Sequence, residues 1–241
     1  MQSYSEKVVV VTGAASGIGR ALAQQLSMQG ANLALSDVNM EALEETASIL
    51  RGTGKVTLQK LDVADRGAWE AYAEQVKADH GQVDMIINNA GVALSETVER
   101  MSYEDMEWIV NINFWGVVYG TKSFLPLLKE RPESAIVNVS SIFGIIALPT
   151  QAAYNATKFA VRGFTESLRQ ELKGTNVFVT TVHPGGIKTN IVRNGRMKTS
   201  MTGENQTLEQ QAKHFEKIAK TTPAQAADTI LEGVKGGKRR I

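Results

Sequence analysis

The sequence predicts an α/β fold in which one doubly wound parallel sheet carries helices on both faces. Short apolar runs alternate along the chain with amphipathic segments of helical period, beginning with KVVVVT at residues 7–12. That alternation is typical of βαβ units, whose right-handed crossovers cover both faces of a parallel sheet. A chain of 241 residues, 43% of them hydrophobic, suits one domain with a full core, so we expect residues 1–241 to form a single domain.

Each element has its own signal. The first strand leads into a helix that places Ile18, Leu22 and Leu26 at i, i+4 and i+8, and Gly30 supplies its stop. Ser102 is a candidate N-cap for a long helix that runs toward Leu128. The predicted strands are residues 8–12, 32–36, 56–61, 84–88, 135–140 and 177–183, and the remaining helical patterns span residues 40–50, 69–76 and 151–173.

A glycine-rich turn joins the first strand to the first helix. It reads TGAASGIG, with Gly13, Gly17 and Gly19 spaced G-x-x-x-G-x-G. Glycines at such a turn let the backbone approach a pyrophosphate, and the helix N-terminus offers free N–H groups and a positive dipole end. Glycine also serves ordinary tight turns, so the motif alone predicts a dinucleotide site only weakly.

Tyr154 and Lys158 form a second candidate motif. They lie four residues apart on a predicted helix, and Ser141 stands 13 positions before the tyrosine. Positions i and i+4 share a helix face, so the ammonium can lie near the phenol and favour the phenolate. A phenol so tuned can act as a general acid or base. The alternative is an ordinary Tyr/Lys pair on a solvated face.

Taken together, these motifs resemble those of the short-chain dehydrogenase/reductase family, whose domain is Rossmann-like, and the likeness runs through nearly the whole chain. The resemblance implies catalytic roles for Asn113, Ser141, Tyr154 and Lys158. It implies cofactor binding by Gly13, Ser16, Gly17, Ile18, Gly19, Asp62, Val63, Asn89, Ala90, Gly91, Tyr154, Lys158, Pro184, Gly185, Ile187 and Thr189.

The family's roles transfer to these positions as expectations. Tyr154 exchanges the proton of the substrate, Ser141 holds the substrate oxygen, Lys158 lowers the pKa of the tyrosine and holds the nicotinamide ribose, and Asn113 anchors a water. The resemblance also implies a homodimer or homotetramer built on the helix that contains Tyr154 and on the helix at residues 102–128.

Asp37 predicts the cofactor. It ends the second strand, 20 residues after Gly17, where a carboxylate accepts hydrogen bonds from the ribose 2′-hydroxyl of NAD and repels the 2′-phosphate of NADP. Ser16, just before Gly17, is not the basic residue that relatives using NADP often carry. NAD is therefore the expected cofactor. The alternative for Asp37 is an N-cap of the helix that carries Met40.

Apolar residues near the motifs predict a mainly apolar alcohol or ketone as substrate. Ile142, Phe143, Ile145, Ile146 and Leu148 lie between Ser141 and Tyr154, and Ala93 and Leu94 follow NNAG. Residues 190–222 are expected to form a flap over this substrate. The predicted function is an NAD(H)-dependent oxidoreductase that interconverts a secondary alcohol and a ketone. The alternatives are an NADPH-dependent reductase of carbonyl or acyl-thioester substrates and a non-catalytic NAD-binding sensor.

Composition argues against other classes. A net charge of +1 gives no basic field for nucleic acid, and the absence of cysteine excludes disulfides and thiolate catalysis. The three histidines lack metal-ligand spacing, so no metal site is expected. The N-terminus enters a strand at once and no apolar run is long enough to span a bilayer, which predicts a soluble, cytoplasmic protein. The given sequence ends at KRRI, where a relative begins a last strand of the sheet. The pairing at the C-terminal edge of the sheet is therefore undecided.

Overall fold

The structure is a computed structural model that describes residues 1–200 and 206–241. Its main sheet has six parallel strands in the order β3-β2-β1-β4-β6-β7. They are β1 (Val8–Thr12), β2 (Asn32–Asp37), β3 (Val56–Lys60), β4 (Met85–Asn88), β6 (Ser134–Val139) and β7 (Val177–Val182). The predicted strands are therefore confirmed to within one residue at either end, and the strand order reverses direction between β1 and β4.

Helices cover both faces of this sheet, as the sequence predicts. They are α1 (Gly17–Met28), α2 (Met40–Ser48), α3 (Arg66–His80), α4 (Tyr103–Val110), α5 (Gly116–Lys129), α6 (Ala152–Glu171), α7 (Leu208–Ile218) and α8 (Pro223–Lys235). One core includes side chains of α1 and α8, and the other includes side chains of α3, α5 and α6. Alternate strand residues supply the two cores: Val9 and Val11 belong to the first, whereas Val10 belongs to the second.

The long helix predicted from Ser102 toward Leu128 is interrupted. Ser102 is the N-cap, and its hydroxyl accepts a hydrogen bond from the backbone N–H of Asp105 at 3.2 Å. The segment Asn111–Trp115 is a π-helical turn between α4 and α5. One extra residue per turn leaves the apolar pattern nearly unchanged, so hydrophobic period alone does not reveal the break.

A small second sheet joins two distant parts of the chain. It pairs β5 (Leu94–Ser95) with β8 (Arg196–Met197) in parallel. Each strand has two residues, too few for a periodic signal in the sequence. The pairing brings part of the predicted flap next to the segment that follows NNAG. Residues 201–205 of that flap lie outside the described residues.

The last residues lie along the outer edge of β7. Arg240 forms a parallel bridge with Thr181, and the backbone N–H of His183 donates to the carbonyl of Ile241 at 2.7 Å. The edge that the sequence leaves undecided is thus partly paired by residues 240 and 241.

Candidate active site

The glycine turn lies at the carboxyl end of β1, where the backbone requires residues without a side chain. Gly13 and Gly17 have φ of +65° and +53°, a region that favours glycine. A Cβ on Gly19 would lie 2.0 Å from the Gly13 carbonyl oxygen, and one on Gly13 would lie 2.8 Å from the Cα of Ala90. The turn is therefore closely packed and leads into the N-terminus of α1, and together they form a backbone cradle of the kind that receives a phosphate group.

Two polar side chains fix this turn against the next strand. The Asn89 Nδ2 donates to the carbonyls of Thr12 and Gly13 at 2.9 and 3.1 Å. The Thr12 hydroxyl accepts from the backbone N–H groups of Asn89 and Ala90, each at 3.0 Å. Asn89 thus holds the cradle through protein contacts. Thr12 was missed by sequence reasoning, although its place at the end of a strand before the first glycine was a usable signal.

Asp37 lies beside the same turn. Its carboxylate accepts from the backbone N–H of Ala15 and from that of Asn39, both at 3.0 Å. The N-cap of α2 is Asn39, whose side chain accepts from Ala42 at 3.1 Å, so the alternative assignment of Asp37 as that cap is wrong. Lys60 lies opposite Asp37 in the pairing of β2 with β3, a nearby cation that sequence reasoning missed.

Asp62 and Val63 follow the end of β3. Asp62 is exposed and its carboxylate accepts from the backbone N–H of Ala64 at 2.9 Å. Val63 is buried, and a Cβ on Gly116 would lie 3.0 Å from its side chain. The carbonyl of Val63 accepts a hydrogen bond from the indole of Trp69 at 3.0 Å. The pair therefore presents one exposed carboxylate beside a well-packed apolar wall.

The segment after β7 closes the other side of the cradle. A Cβ on Gly17 would lie 3.1 Å from the Thr189 methyl group, which places Thr189 over the start of α1. The carbonyl of Pro184 accepts from the backbone N–H of Ile142 at 2.9 Å, and a Cβ on Gly185 would lie 3.3 Å from the Ile142 side chain. Ile187 is buried and forms a bridge with Thr221.

Ser16 and Ile18 lie at the N-terminus of α1. Ser16 is the N-cap residue, and its side chain forms no cap hydrogen bond.

Tyr154 and Lys158 lie one turn apart on α6, and both are buried, at 8% and 3% exposure. The Lys158 Nζ lies 5.7 Å from the centroid of the Tyr154 ring and donates to the carbonyl of Val139 at 3.1 Å. Ser141 follows β6 and is 6% exposed, and its hydroxyl accepts from the backbone N–H of Phe143 at 3.1 Å. The Phe143 ring packs edge-on against Tyr154, with centroids 6.0 Å apart.

Burial shifts the pKa values of Tyr154 and Lys158 in opposite directions. Burial raises the pKa of the Tyr154 phenol, and the contact with the Ser141 hydroxyl acts in the opposite direction. Burial also lowers the pKa of the Lys158 ammonium to about 8. Burial is thus the largest influence on the pKa of Tyr154 and Ser141 opposes it, while the expectation that Lys158 lowers the pKa of Tyr154 stays a prediction.

Asn113 lies within the π-helical turn and is completely buried. Its Oδ1 accepts from the backbone N–H of Val92 at 2.8 Å, and its Nδ2 donates to the Val92 carbonyl at 2.9 Å and to the Thr157 hydroxyl at 3.2 Å. A Cβ on Gly91 would lie 3.2 Å from Asn113 Oδ1 and 3.3 Å from Lys158 Nζ. Both amide protons of Asn113 are thus used, and one lone pair on Oδ1 remains for a further donor.

The residues around Tyr154 form a small apolar cluster. Its buried members beside the tyrosine are Ala93, Leu94, Ile109 and Ala153, and Phe143 and Met197 pack against it. The residues expected to line the substrate site differ in their burial. Phe143 packs against this cluster, whereas Ile145, Ile146 and Leu148 are 44%, 47% and 40% exposed. The Tyr154 phenol therefore has apolar neighbours on the side of β5 and β8.

Comparison with known proteins identifies the family. Residues 7–200 match the family model of the short chain dehydrogenases. The chain belongs to the short-chain dehydrogenase/reductase family. It is 48% identical over 245 residues to the putative oxidoreductase SadH of Mycobacterium tuberculosis, a match that covers 100% of this chain and 87% of the relative. It is 37% identical over 190 residues to a cyclopentanol dehydrogenase of Comamonas, covering 78% of this chain and 76% of that protein.

A solved short-chain dehydrogenase/reductase has the same fold. The enzyme from Burkholderia phymatum, in complex with NAD, superposes with a TM-score of 0.90 at 29% identity and covers 100% of this chain and 90% of its own. The protein is thus an oxidoreductase of this family with its Rossmann-like sheet. Within residues 1–200 and 206–241, each helix of this short-chain dehydrogenase/reductase is too short or too polar to cross a membrane, and no cluster of His, Asp and Glu could hold a metal ion.

Proposed function

We propose that this protein is an NAD(H)-dependent oxidoreductase that interconverts a secondary alcohol and a ketone on a mainly apolar substrate. The observation that carries the proposal is the convergence of Tyr154, Ser141 and Lys158 in a buried, apolar setting at the carboxyl ends of the strands. In open α/β sheets, ligands bind at this edge, where the strand order reverses.

The cradle fits a dinucleotide. The glycines let the turn pack closely against Ala90 and Thr189 and bring its backbone to the N-terminus of α1, where free N–H groups can receive a pyrophosphate. Lys158 contributes a buried ammonium for which the described residues supply one acceptor, the Val139 carbonyl, so two of its three donors are available for ribose hydroxyls. A bound nicotinamide supplies the acceptor or donor of the hydride.

The protein supplies the proton transfer. In alcohol oxidation the Tyr154 phenolate takes the hydroxyl proton, and in ketone reduction the phenol returns it. Ser141 donates a hydrogen bond to the substrate oxygen and stabilises the charge that develops there. Lys158 holds positive charge near the phenolate, 5.7 Å from the ring centroid. We further propose that Asn113 receives a water on its remaining lone pair, which connects the lysine to solvent.

Asp37 supports NAD as the cofactor. Each of its two oxygens accepts one backbone hydrogen bond, which leaves acceptor capacity for the ribose hydroxyls. Lys60, opposite in the sheet, is the one observation that favours the alternative of an NADPH-dependent carbonyl or acyl-thioester reductase. Asp37→Ala should lower the ratio of kcat/KM with NAD to kcat/KM with NADP, with Glu74→Ala on α3 as an exposed control. An unchanged ratio would place the selectivity elsewhere.

We also infer that the protein is a homodimer or homotetramer. Aromatic side chains of the π-helical turn, α5 and α6 form one surface: Trp115 stacks on Tyr119 at 5.6 Å, and Phe114 packs edge-on against Phe164 at 6.3 Å. Trp115 and Phe159 are each 41% exposed on it. An apolar surface of this kind is typical of an interface. Light scattering on Trp115→Glu should show a smaller species than the wild type.

One assay tests the main proposal. Purified protein is incubated with NAD and a panel of secondary alcohols while the absorbance of NADH is followed, and the reverse reaction is run with ketones and NADH. Turnover with NADPH alone would favour the alternative reductase. Absence of turnover with every alcohol and ketone, together with retained NAD binding, would favour the non-catalytic sensor and overturn the proposal.

A further inference from the structure

A recess that is open to solvent lies between the start of α6, the second sheet and α7. Its apolar lining consists of Val192, Met197, Phe215 and Ile218. Met197 also packs against the apolar cluster that contains Tyr154, so the recess adjoins the proposed catalytic group. A substrate whose reacting carbon lies at Tyr154 extends into this space.

Gln151 is the buried polar side chain of this recess. It immediately precedes α6, three residues before Tyr154, and it is 5% exposed. Its backbone carbonyl accepts from Asn155, but its side chain does not cap the helix and forms no hydrogen bond with any other residue in the described part of the chain. The amide is not among the enclosed side-chain atoms that lack a partner in the described residues, so it is open to the recess, where a ligand can hydrogen-bond it.

The other polar residues around the recess are already engaged or face solvent. The Ser95 hydroxyl donates to the carbonyl of Thr199, and the Gln211 Nε2 donates to the carbonyl of Gln206 at 3.2 Å. His214 is exposed. Gln151 therefore differs from its neighbours in combining burial, contact with the recess and an unused amide.

We propose that Gln151 is a specificity-determining residue that hydrogen-bonds a second oxygen of the substrate. The inference rests on the proposed function. It narrows the substrate class to apolar secondary alcohols and ketones that carry a further hydroxyl or carbonyl group. Side chains three positions apart on a helix are neighbours, with Cβ atoms about 5–6 Å apart, so the second oxygen lies near the reacting one, as on the far side of a small ring.

The chemistry of the amide defines which group it accepts. A primary amide offers two donors and one acceptor oxygen, so it pairs with either a hydroxyl or a carbonyl. It has no charge to neutralise a carboxylate or a phosphate, and the four apolar neighbours disfavour either anion in the recess. The second group is therefore a neutral oxygen.

Matched pairs of ketones test the inference. With NADH, kcat/KM is measured for 4-hydroxycyclohexanone and 4-methylcyclohexanone, and for a linear pair that differs in the same way. The variants are Gln151→Met, which keeps the length of the side chain without the amide, and Gln170→Met, an exposed control on α6. The dissociation constants of the same ketones are measured by calorimetry with NAD bound, so recognition is also read without turnover.

We expect the wild type to prefer the hydroxylated ketone of each pair by about tenfold, the contribution of one well-placed hydrogen bond. Gln151→Met should lose that preference, and Gln170→Met should retain it. Equal kcat/KM and equal affinity for both members in the wild type, or a preference that survives in Gln151→Met, would overturn the inference. Failure of every ketone and alcohol to turn over would instead overturn the proposed function, and the affinity ratio would still decide the role of Gln151.

Discussion

Asp105 on α4 is expected to hold the segment of residues 196–199 against the body of the protein. Its side chain is 3% exposed, and its carboxylate contacts Arg196 at 2.9 Å and also Lys198. The Arg196 guanidinium lies 4.0 Å from the centroid of the Trp108 ring. The hydrogen bond from Lys198 holds the pKa of Asp105 below its usual value, with a further contribution from Arg196.

Asp105→Asn keeps the shape of the side chain and removes its charge. Hydrogen bonds to a charged group contribute about 1.5–3 kcal/mol when buried. The two cations are 42% and 47% exposed, so solvent screens them, and we expect a loss of about 1–2 kcal/mol. That loss corresponds to about a 5–30-fold increase in local opening. Because the pKa of Asp105 is lowered, the contribution is present above about pH 4 and is lost as the pH falls through the lowered value.

Amide hydrogen exchange measures the opening directly. The backbone N–H of Arg196 donates to the carbonyl of Ala93, and those of Lys198 and Thr199 donate to the carbonyl of Ser95, at 2.9 to 3.0 Å. Exchange at these three amides should accelerate in Asp105→Asn and not in the exposed control Glu107→Gln, while the amides of β1 stay protected. Exchange within about twofold of the wild type at all three amides would refute the reasoning, since a 1 kcal/mol loss is about fivefold.

Three further outcomes are expected. Tyr154→Phe should keep cofactor affinity and lower kcat by about 10²–10⁴-fold, and a kcat within threefold of the wild type would remove Tyr154 from its role. Ser141→Ala should shift the rising limb of the pH profile for alcohol oxidation to higher pH, because the Ser141 contact lowers the pKa of the phenol. Lys158→Met should also shift this limb to higher pH and should weaken NAD binding. A limb that stays in place in both variants would contradict the roles assigned to Ser141 and Lys158. Gly19→Ala, whose Cβ would lie 2.0 Å from a backbone oxygen, should unfold at a lower temperature in a thermal melt and lose affinity for NAD.

Much of the fold could be predicted because its signals are local. A buried parallel strand is a continuous apolar run such as Val8–Thr12, and glycines at Gly13 and Gly17 mark the turn that follows. The helix α8 also carries a local signal, because Thr222 and Gln225 form a capping box with Pro223 at the first helical position.

The remaining features depend on contacts between distant residues. The pairing of β5 with β8 joins positions about a hundred residues apart, and the partners of Asp105 lie on that same segment. The direction of the pKa shift at Tyr154 depends on burial, which a motif of four residues does not encode. Gln151 resembles an ordinary polar residue before a helix until the recess beside it is known.

The π-helical turn makes the length of its segment matter more than its composition. Each helical residue advances the chain by about 100° and 1.5 Å. A π-helical turn holds one residue more than the α-helical turn it replaces, so removal of one residue from Asn111–Trp115 would restore a regular helix with α4 and α5 still facing the core. The deletion would instead displace Asn113, whose amide contacts Val92 and Thr157 from within this turn. The length of this segment should therefore matter more to the candidate active site than to the fold.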